Sequence, residues 1–173
     1  ALVLSLPGCH AHRAPASSGS PTGPRTTSME LFRSKPDGVK LYVMADLGDG
    51  EPRVFMVDTG ASVSVLTVEV AKSLGLKPEL RGPKLVGLGG STPWYQANVP
   101  KVELGPYSFH NVPFAVGVPG VPTRAGLVPI AGILGNNIWQ HFGLAIDYPA
   151  NTLELALGGG IDLPAHAQPM FFN

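Results

Sequence analysis

The stretch RVFMVDTGASVSVLT, residues 53–67, places one carboxylate, Asp58, directly after an apolar run and directly before Thr59-Gly60. The run, residues 54–57, predicts a buried strand. A carboxylate at the end of a buried strand loses hydration, which costs free energy unless another group pairs with it or donates hydrogen bonds to it. Asp58 is therefore the first candidate for a functional residue in this chain.

The composition indicates one all-β domain. With 173 residues, 44% of them apolar, the chain is long enough to form one sizeable core. Its 22 glycines and 18 prolines favour many turns and short strands over a helical bundle. The 12 basic and 12 acidic residues cancel, and no run of either sign occurs. This pattern argues against nucleic acid or an anionic membrane surface as a partner.

Local patterns predict the elements around the Asp58 stretch. The segment VKLYVMADLG, residues 39–48, and the run before Asp58 predict a hairpin that turns at residues 48–50. We expect a short strand ending near Leu66, then a helix with Thr67 as its N-cap and Gly75 at its end. Later patterns predict strands at residues 95–99 and 101–104, a short helix around residues 137–142, and a closing hairpin that turns at residues 149–151.

Three motifs in order resemble those of a known family. Asp58-Thr59-Gly60-Ala61-Ser62 resembles the active-site signature of the aspartic peptidases. GILG, residues 132–135, followed by NNIWQHFG, resembles the apolar-apolar-glycine element that underlies the catalytic loop in these enzymes. VGLGGSTPWYQA, residues 86–97, lies between the two, where retroviral-type proteases carry a glycine-rich flap. The chain is thus similar to the retropepsin-like aspartic proteases over residues 39–155.

The resemblance implies a fold and a set of site residues. The fold would be an all-β acid-protease half-barrel, the retropepsin-like closed barrel, with one or two short helices. The implied catalytic residues are Asp58, Thr59 and Gly60. The implied flap residues, which would bind substrate, are Gly87, Leu88, Gly89, Gly90 and Trp94, although an aromatic residue on a hairpin is as often a packing residue as a cleft residue. The implied support of the catalytic loop is Ile133, Leu134 and Gly135.

The chain carries one Asp-Thr-Gly motif, whereas the reaction that the resemblance implies needs two carboxylates. A homodimer would supply the second as another copy of Asp58. Asp147 is a weaker candidate, since a carboxylate entering a hairpin more often caps a turn. The expected function is therefore an aspartic endopeptidase that acts on a peptide or protein substrate. The alternative is a catalytically silent domain of the same fold that dimerises or binds peptides.

The N-terminal residues suggest export. ALVLSLPGC, residues 1–9, resembles the end of a bacterial lipoprotein signal peptide, in which Cys9 would be lipidated; the alternative is a disordered tail with an incidental cysteine. Residues 10–28 contain almost no large apolar side chain and predict a flexible tether. We expect the protease domain at residues 29–157 and a C-terminal tail at 158–173, a candidate interface strand. These features predict a lipid-anchored protein of the periplasm, with Cys9 as its only link to the membrane.

No cofactor or metal is expected. His10 and His12 form a pair without further ligands nearby, and His110, His141 and His166 lack the spacing of metal ligands. The GLGG stretch, residues 87–90, is not followed by the helix or lysine of a phosphate-binding loop. Trp139, at helical spacing from Phe142, is expected in the core.

Overall fold

A computed structural model describes residues 19–33, 40–87 and 90–161, with residues 81–87 and 90–92 described by their backbone. The described chain forms thirteen strands and two short helices: β1 Thr26–Glu30, β2 Phe32–Arg33, β3 Leu41–Ala45, β4 Arg53–Val57, β5 Ser64–Leu66, α1 Val68–Ser73, β6 Glu79–Gly87, β7 Gly90–Leu104, β8 Tyr107–Val116, β9 Arg124–Ala125, β10 Val128–Pro129, β11 Gly132–Leu134, α2 Asn136–Trp139, β12 Phe142–Asp147 and β13 Thr152–Leu157. The predicted all-β class with short helices is confirmed.

The strands form one large sheet and two small ones. The order in the eight-stranded sheet is β2-β3-β4-β11-β5-β8-β7-β6, and the others are β1-β13-β12 and the hairpin β10-β9. β11 lies between β4 and β5, parallel to the first and antiparallel to the second. Two strands that are neighbours along the chain are thus separated in the sheet by a segment from much later in the sequence.

The predicted first hairpin is confirmed. β3 and β4 pair antiparallel from Tyr42↔Met56 to Ala45↔Arg53. Their connection is held by side chains, because Asp46 Oδ1 accepts a hydrogen bond from Gly48 N at 2.6 Å and Asp49 pairs with Arg53 at 2.5 Å. The hairpin places β4 in the interior of the large sheet, and Asp58 follows directly after this strand.

The core lies between the large sheet, the β1-β13-β12 sheet and α2. Its largest fully buried side chains are Trp139, Tyr107, Phe55, Phe109, Phe114, Leu66, Leu104, Leu134, Ile138, Leu153, Leu155 and Val43. The predicted core position of Trp139 is confirmed.

The two helices differ in how well the sequence predicted them. α1 follows Thr67, whose side chain accepts a hydrogen bond from Val70 N at 3.3 Å, so the predicted cap is confirmed. The bounds predicted for the second helix, residues 137–142, were wrong, because α2 spans Asn136–Trp139. Phe142 instead begins β12, where it pairs with Leu157 and packs edge-on against Tyr107 at 4.7 Å. Strand pairing and core packing outweigh helical spacing at this position.

Two further boundaries differ from expectation. The strands predicted at residues 95–99 and 101–104 form one strand, β7, because the register on β8 continues past Pro100, from Val99↔Val112 to Lys101↔His110. Folded structure also begins before the expected boundary at residue 29, since β1 starts at Thr26 and pairs with β13. Main-chain pairing of this kind needs no large apolar side chain. Residues 1–18, with Cys9, and residues 162–173 lie outside the described part of the chain.

Candidate active site

Asp58 is the first residue after β4, and its backbone is held by β11. Val57 pairs with Leu134, and one residue further Asp58 N donates to Leu134 O at 3.1 Å. The carbonyl oxygen of Asp58 accepts a hydrogen bond from Ala61 N at 3.3 Å, which closes a turn over Thr59 and Gly60. The predicted catalytic residues are thus together in one turn at the end of a central strand.

The carboxylate of Asp58 is half-buried and stabilised by main-chain donors. Its Oδ1 atom accepts hydrogen bonds from Gly60 N at 3.0 Å and from Ala61 N at 3.1 Å. Such bonds offset the loss of hydration and hold the carboxylate in one orientation. Across residues 19–33, 40–87 and 90–161, no group donates to Oδ2.

The predicted support residues lie against the loop that follows Asp58, residues 58–63, here called the catalytic loop. Gly135 approaches it so closely that a Cβ atom would lie 2.7 Å from Val63 O and 2.8 Å from Ala61 O. The next residue, Asn136, donates from its backbone N to Ala61 O at 2.6 Å. Ile133 and Leu134, the two residues before Gly135, are buried. Only glycine fits at position 135, which explains the glycine in the motif.

A polar pair at this site, formed by a buried serine and a half-buried asparagine, was not predicted. Ser64, fully buried at the start of β5, donates from Oγ to Asn137 Oδ1 at 2.7 Å, and its backbone N donates to the same oxygen at 2.8 Å. Ser64 Oγ also accepts a hydrogen bond from Gly135 N at 2.9 Å, and Asn137 Nδ2 donates to Pro113 O at 3.0 Å. The only signal in the sequence was a serine inside an apolar strand, since its partner lies 73 residues away.

The predicted flap is a hairpin in its described part. β6 and β7 pair from Glu79↔Gln96 to Gly87↔Gly90, with an irregularity between residues 81 and 85. Leu88 and Gly89 lie outside the described residues. Trp94, on β7, is half-buried and packs against an apolar cluster beside the catalytic loop, formed by Val63, Val65, Ala115 and Ile133 with partly buried Met56, Ala61, Val118 and Val121. Of the two roles considered for Trp94, packing and lining a cleft, the structure shows packing, next to the site.

The other acidic residues have different surroundings. Asp147 Oδ1 accepts a hydrogen bond from Ala150 N at 2.9 Å, so its predicted role as a turn cap is confirmed. Asp46 and Asp49 lie at the far end of β4 from Asp58. Within the described ranges no three His, Cys, Asp or Glu side chains form a metal-binding group, and no helix there is long and apolar enough to cross a membrane.

Comparisons with known proteins agree with the motifs. A profile of the aspartyl protease family matches residues 43–138, more than half of the 173 residues. No curated protein gives a significant match by sequence. Among solved structures, the chain is similar to a retropepsin-like aspartic protease from Rickettsia conorii, with 26% identity and a TM-score of 0.56, over 76% of this chain and 92% of that one. It is also similar to EIAV protease in complex with the inhibitor HBY-793, with 22% identity and a TM-score of 0.43, over 57% and 84%.

Proposed function

Because this chain belongs to the aspartyl protease family and has a retropepsin-like fold, we propose that it is an endopeptidase that cleaves peptide bonds with a water molecule held between two copies of Asp58. The observation that carries the proposal is the geometry of Asp58. It ends a central strand, its backbone is bonded to Leu134, and two main-chain N–H groups orient its carboxylate.

The proposed chemistry assigns one role to each carboxylate. One copy of Asp58 is ionised and removes a proton from the water, whose oxygen attacks the scissile carbonyl carbon. The other copy is protonated and donates its proton to the carbonyl oxygen as the tetrahedral intermediate forms. Collapse of the intermediate breaks the C–N bond: the first copy of Asp58 gives the leaving nitrogen the proton that it took from the water, and the second copy recovers its proton from the former carbonyl oxygen. Two adjacent carboxylates that share one proton suit these paired roles.

The second carboxylate comes from a second chain in this proposal. The Asp-Thr-Gly motif occurs once in 173 residues, and the acids discussed above lie at other turns. A twofold dimer would bring two equivalent Asp58 turns together, and the Thr59 hydroxyl of each turn would then hydrogen-bond across the axis. The C-terminal segment 158–173 stays a proposed interface strand.

The hairpin of β6 and β7 would cover the substrate. Gly87 and Gly90 pair at its described end and would lie over the peptide backbone, while Trp94 would form part of the apolar wall. A covering hairpin excludes water other than the nucleophile.

The first test compares isosteric variants of two aspartates. Asp58→Asn should abolish cleavage of a denatured-protein mixture. Asp147→Asn is the matched control, because an asparagine oxygen can still accept from Ala150 N, and it should cleave normally. A folded Asp58→Asn protein that cleaves at the control rate would refute the proposal. Binding of a transition-state-mimicking peptide such as pepstatin without cleavage by wild type would favour a silent peptide-binding domain.

A second test addresses the dimer. After exchange of subunits between equal amounts of wild type and Asp58→Asn, random pairing leaves about half of the wild-type chains with an inactive partner. Activity per wild-type chain should then fall by about half, and it should also fall on dilution below the dimer dissociation constant. Unchanged activity after demonstrated exchange would mean that each chain holds a complete site.

We also propose that Cys9 carries a lipid that anchors the domain in the bacterial cell envelope, on the periplasmic side. The support is the resemblance of residues 1–9 to a lipoprotein signal and the polar composition of the residues that follow. An anchor of this kind would raise the effective concentration of subunits and favour dimerisation. Cys9→Ser should move the protein from the membrane to the soluble fraction and prevent labelling with a fatty acid; labelling of the variant would exclude this site.

A further inference from the structure

We propose that Ser64 and Asn137 form a positioning pair that sets the geometry of the catalytic loop, and this inference rests on the proposed protease function. Among the described residues, the hydrogen bonds to the Asp58 carboxylate come from Gly60 N and Ala61 N, not from Ser64 or Asn137. Ser64 and Asn137 act instead on the main-chain segment that holds the two N–H donors of that carboxylate. The pair joins three parts of the chain, the start of β5, β8 at Pro113 and the segment after β11.

The side-chain amide of Asn137 makes the two hydrogen bonds that a main-chain peptide group would make between two strands. β5 and β8 are parallel, with Ser64 opposite Phe114. At this end of the pair, Asn137 Oδ1 accepts from Ser64 N, and Asn137 Nδ2 donates to Pro113 O. An amide is the side-chain group that offers one acceptor and one donor in this arrangement. The strands are thus joined at the point where the chain arrives from the catalytic loop.

The Ser64 hydroxyl links this junction to the close approach at Gly135. Ser64 Oγ donates to Asn137 Oδ1 and accepts from Gly135 N at 2.9 Å, so its one proton and one of its lone pairs have defined partners. The bond from Gly135 N is buried. An alanine at position 64 would leave this N–H without its acceptor, and such a group cannot reach solvent without movement of the backbone.

The network acts on the chemistry through the carbonyl oxygen of Ala61. The segment from Gly135 to Asn137 donates from Asn136 N to that oxygen, and Ala61 N in turn donates to Asp58 Oδ1. A shift of residues 135–137 would therefore move one of the two donors that orient the carboxylate. Displacement of a reacting group by about 1 Å can lower a rate about a hundredfold. The pair is expected to affect the chemical step more than substrate binding.

The experiment uses two variants with matched controls. Asn137→Asp keeps an acceptor for Ser64 N but loses the donor to Pro113 O, and its control is Asn98→Asp, where the exposed side chain only accepts a hydrogen bond from Gln96 Nε2. Ser64→Ala loses the buried hydroxyl, and its control is Ser73→Ala on the exposed surface of α1. We would measure kcat and KM with a peptide identified among wild-type cleavage products, per active site titrated with a tight-binding inhibitor, below the unfolding transition of every protein.

We expect kcat to fall about tenfold to a hundredfold in Asn137→Asp and Ser64→Ala, with KM within about twofold of wild type and both controls unchanged. The double variant should lose no more than about the larger single loss, because the two residues act as one unit.

Three results would overturn the inference. The first is a kcat equal to that of the controls in either folded variant. The second is a loss confined to KM. The third is a failure of both variants to fold, which would show a purely structural role. The proposed function fails separately, through cleavage by folded Asp58→Asn, so the two ideas can be told apart.

Discussion

Asp58 and Trp139 donate hydrogen bonds to the same acceptor, the carbonyl oxygen of Leu134, from the backbone N at 3.1 Å and from the indole Nε1 at 2.7 Å. Trp139 is almost completely buried at the end of α2. The largest side chain of the core is thus bonded to the peptide group that holds the backbone of the candidate catalytic residue, and core packing is coupled directly to the site.

Trp139→Phe should therefore reduce both stability and activity. The variant loses a buried hydrogen bond and leaves a small cavity, and we expect a loss of about 2 kcal/mol or more in the free energy of unfolding. Urea denaturation measures this loss. Trp94→Phe, which changes a half-buried indole, should lose less. Equal losses would show that the bond to Leu134 contributes little.

Gly132→Ala should prevent stable folding. A Cβ atom at this position would lie 1.8 Å from Val65 O, in the backbone of the neighbouring strand β5. Relief of this overlap requires separation of β11 from β5, so we expect a loss of more than about 4 kcal/mol. Gly126→Ala is the control, because its Cβ would meet no atom within 4 Å and only a φ of +62° opposes it, a cost of about 1–2 kcal/mol. Thermal unfolding of both variants checks the difference, and a similar Tm for the two would contradict it.

The ion pair of Asp49 and Arg53 should stabilise the β3–β4 hairpin in a defined pH range. The hydrogen bond from Arg53 lowers the pKa of Asp49 from its ordinary value of 3.8 to about 2. Since the folded pKa is below the unfolded one, the stabilisation is complete above about pH 4 and is lost as the pH falls through about 2. The pair is near the surface, so it should contribute about 0.2–1 kcal/mol. The difference in unfolding free energy between wild type and Asp49→Asn should shrink over that range; a constant difference would contradict the assignment.

His141 should make stability rise with pH near neutrality. Burial lowers the pKa of this histidine below its ordinary value of 6.5, so the unfolded chain binds a proton at a higher pH than the folded chain does. Stability is then lowest below the folded pKa and increases as the pH rises to about 6.5 and above. His141→Gln should flatten this slope in unfolding measurements from about pH 5 to 8. His110→Gln, at an exposed position, is the control, and an equal effect of both variants would exclude His141 as the source.

The sequence predicted those features that depend on neighbouring residues. The apolar run before Asp58, the cap at Thr67 and the turn that Asp147 closes each rest on contacts within a few positions. The order of the three motifs further predicted which segments would lie near Asp58. Local chemistry and a family resemblance were sufficient for this part of the site.

The features that the sequence did not predict depend on contacts between residues that are far apart in the chain. The partner of Ser64 lies 73 residues away, and neither Ser64 nor Asn137 has a local pattern that points to the other. The helical spacing of Trp139 and Phe142 was misleading because Phe142 packs with Tyr107 and pairs with Leu157. β1 was missed because its pairing with β13 uses main-chain groups, which any sequence can supply.

The position of β11 between β4 and β5 has a consequence for synthesis of the chain. Residues 53–66 leave the ribosome first, and Leu134 follows 68 residues after Leu66 (134 − 66), an interval on the order of 3–14 s at typical translation rates. During that interval the acceptor of Asp58 N does not exist, and β4 and β5 lack the strand that joins them. Assembly of the turn must therefore be a late, cooperative event that requires most of the domain. A nascent chain released before Leu134 carries the Asp-Thr-Gly motif without the geometry to use it.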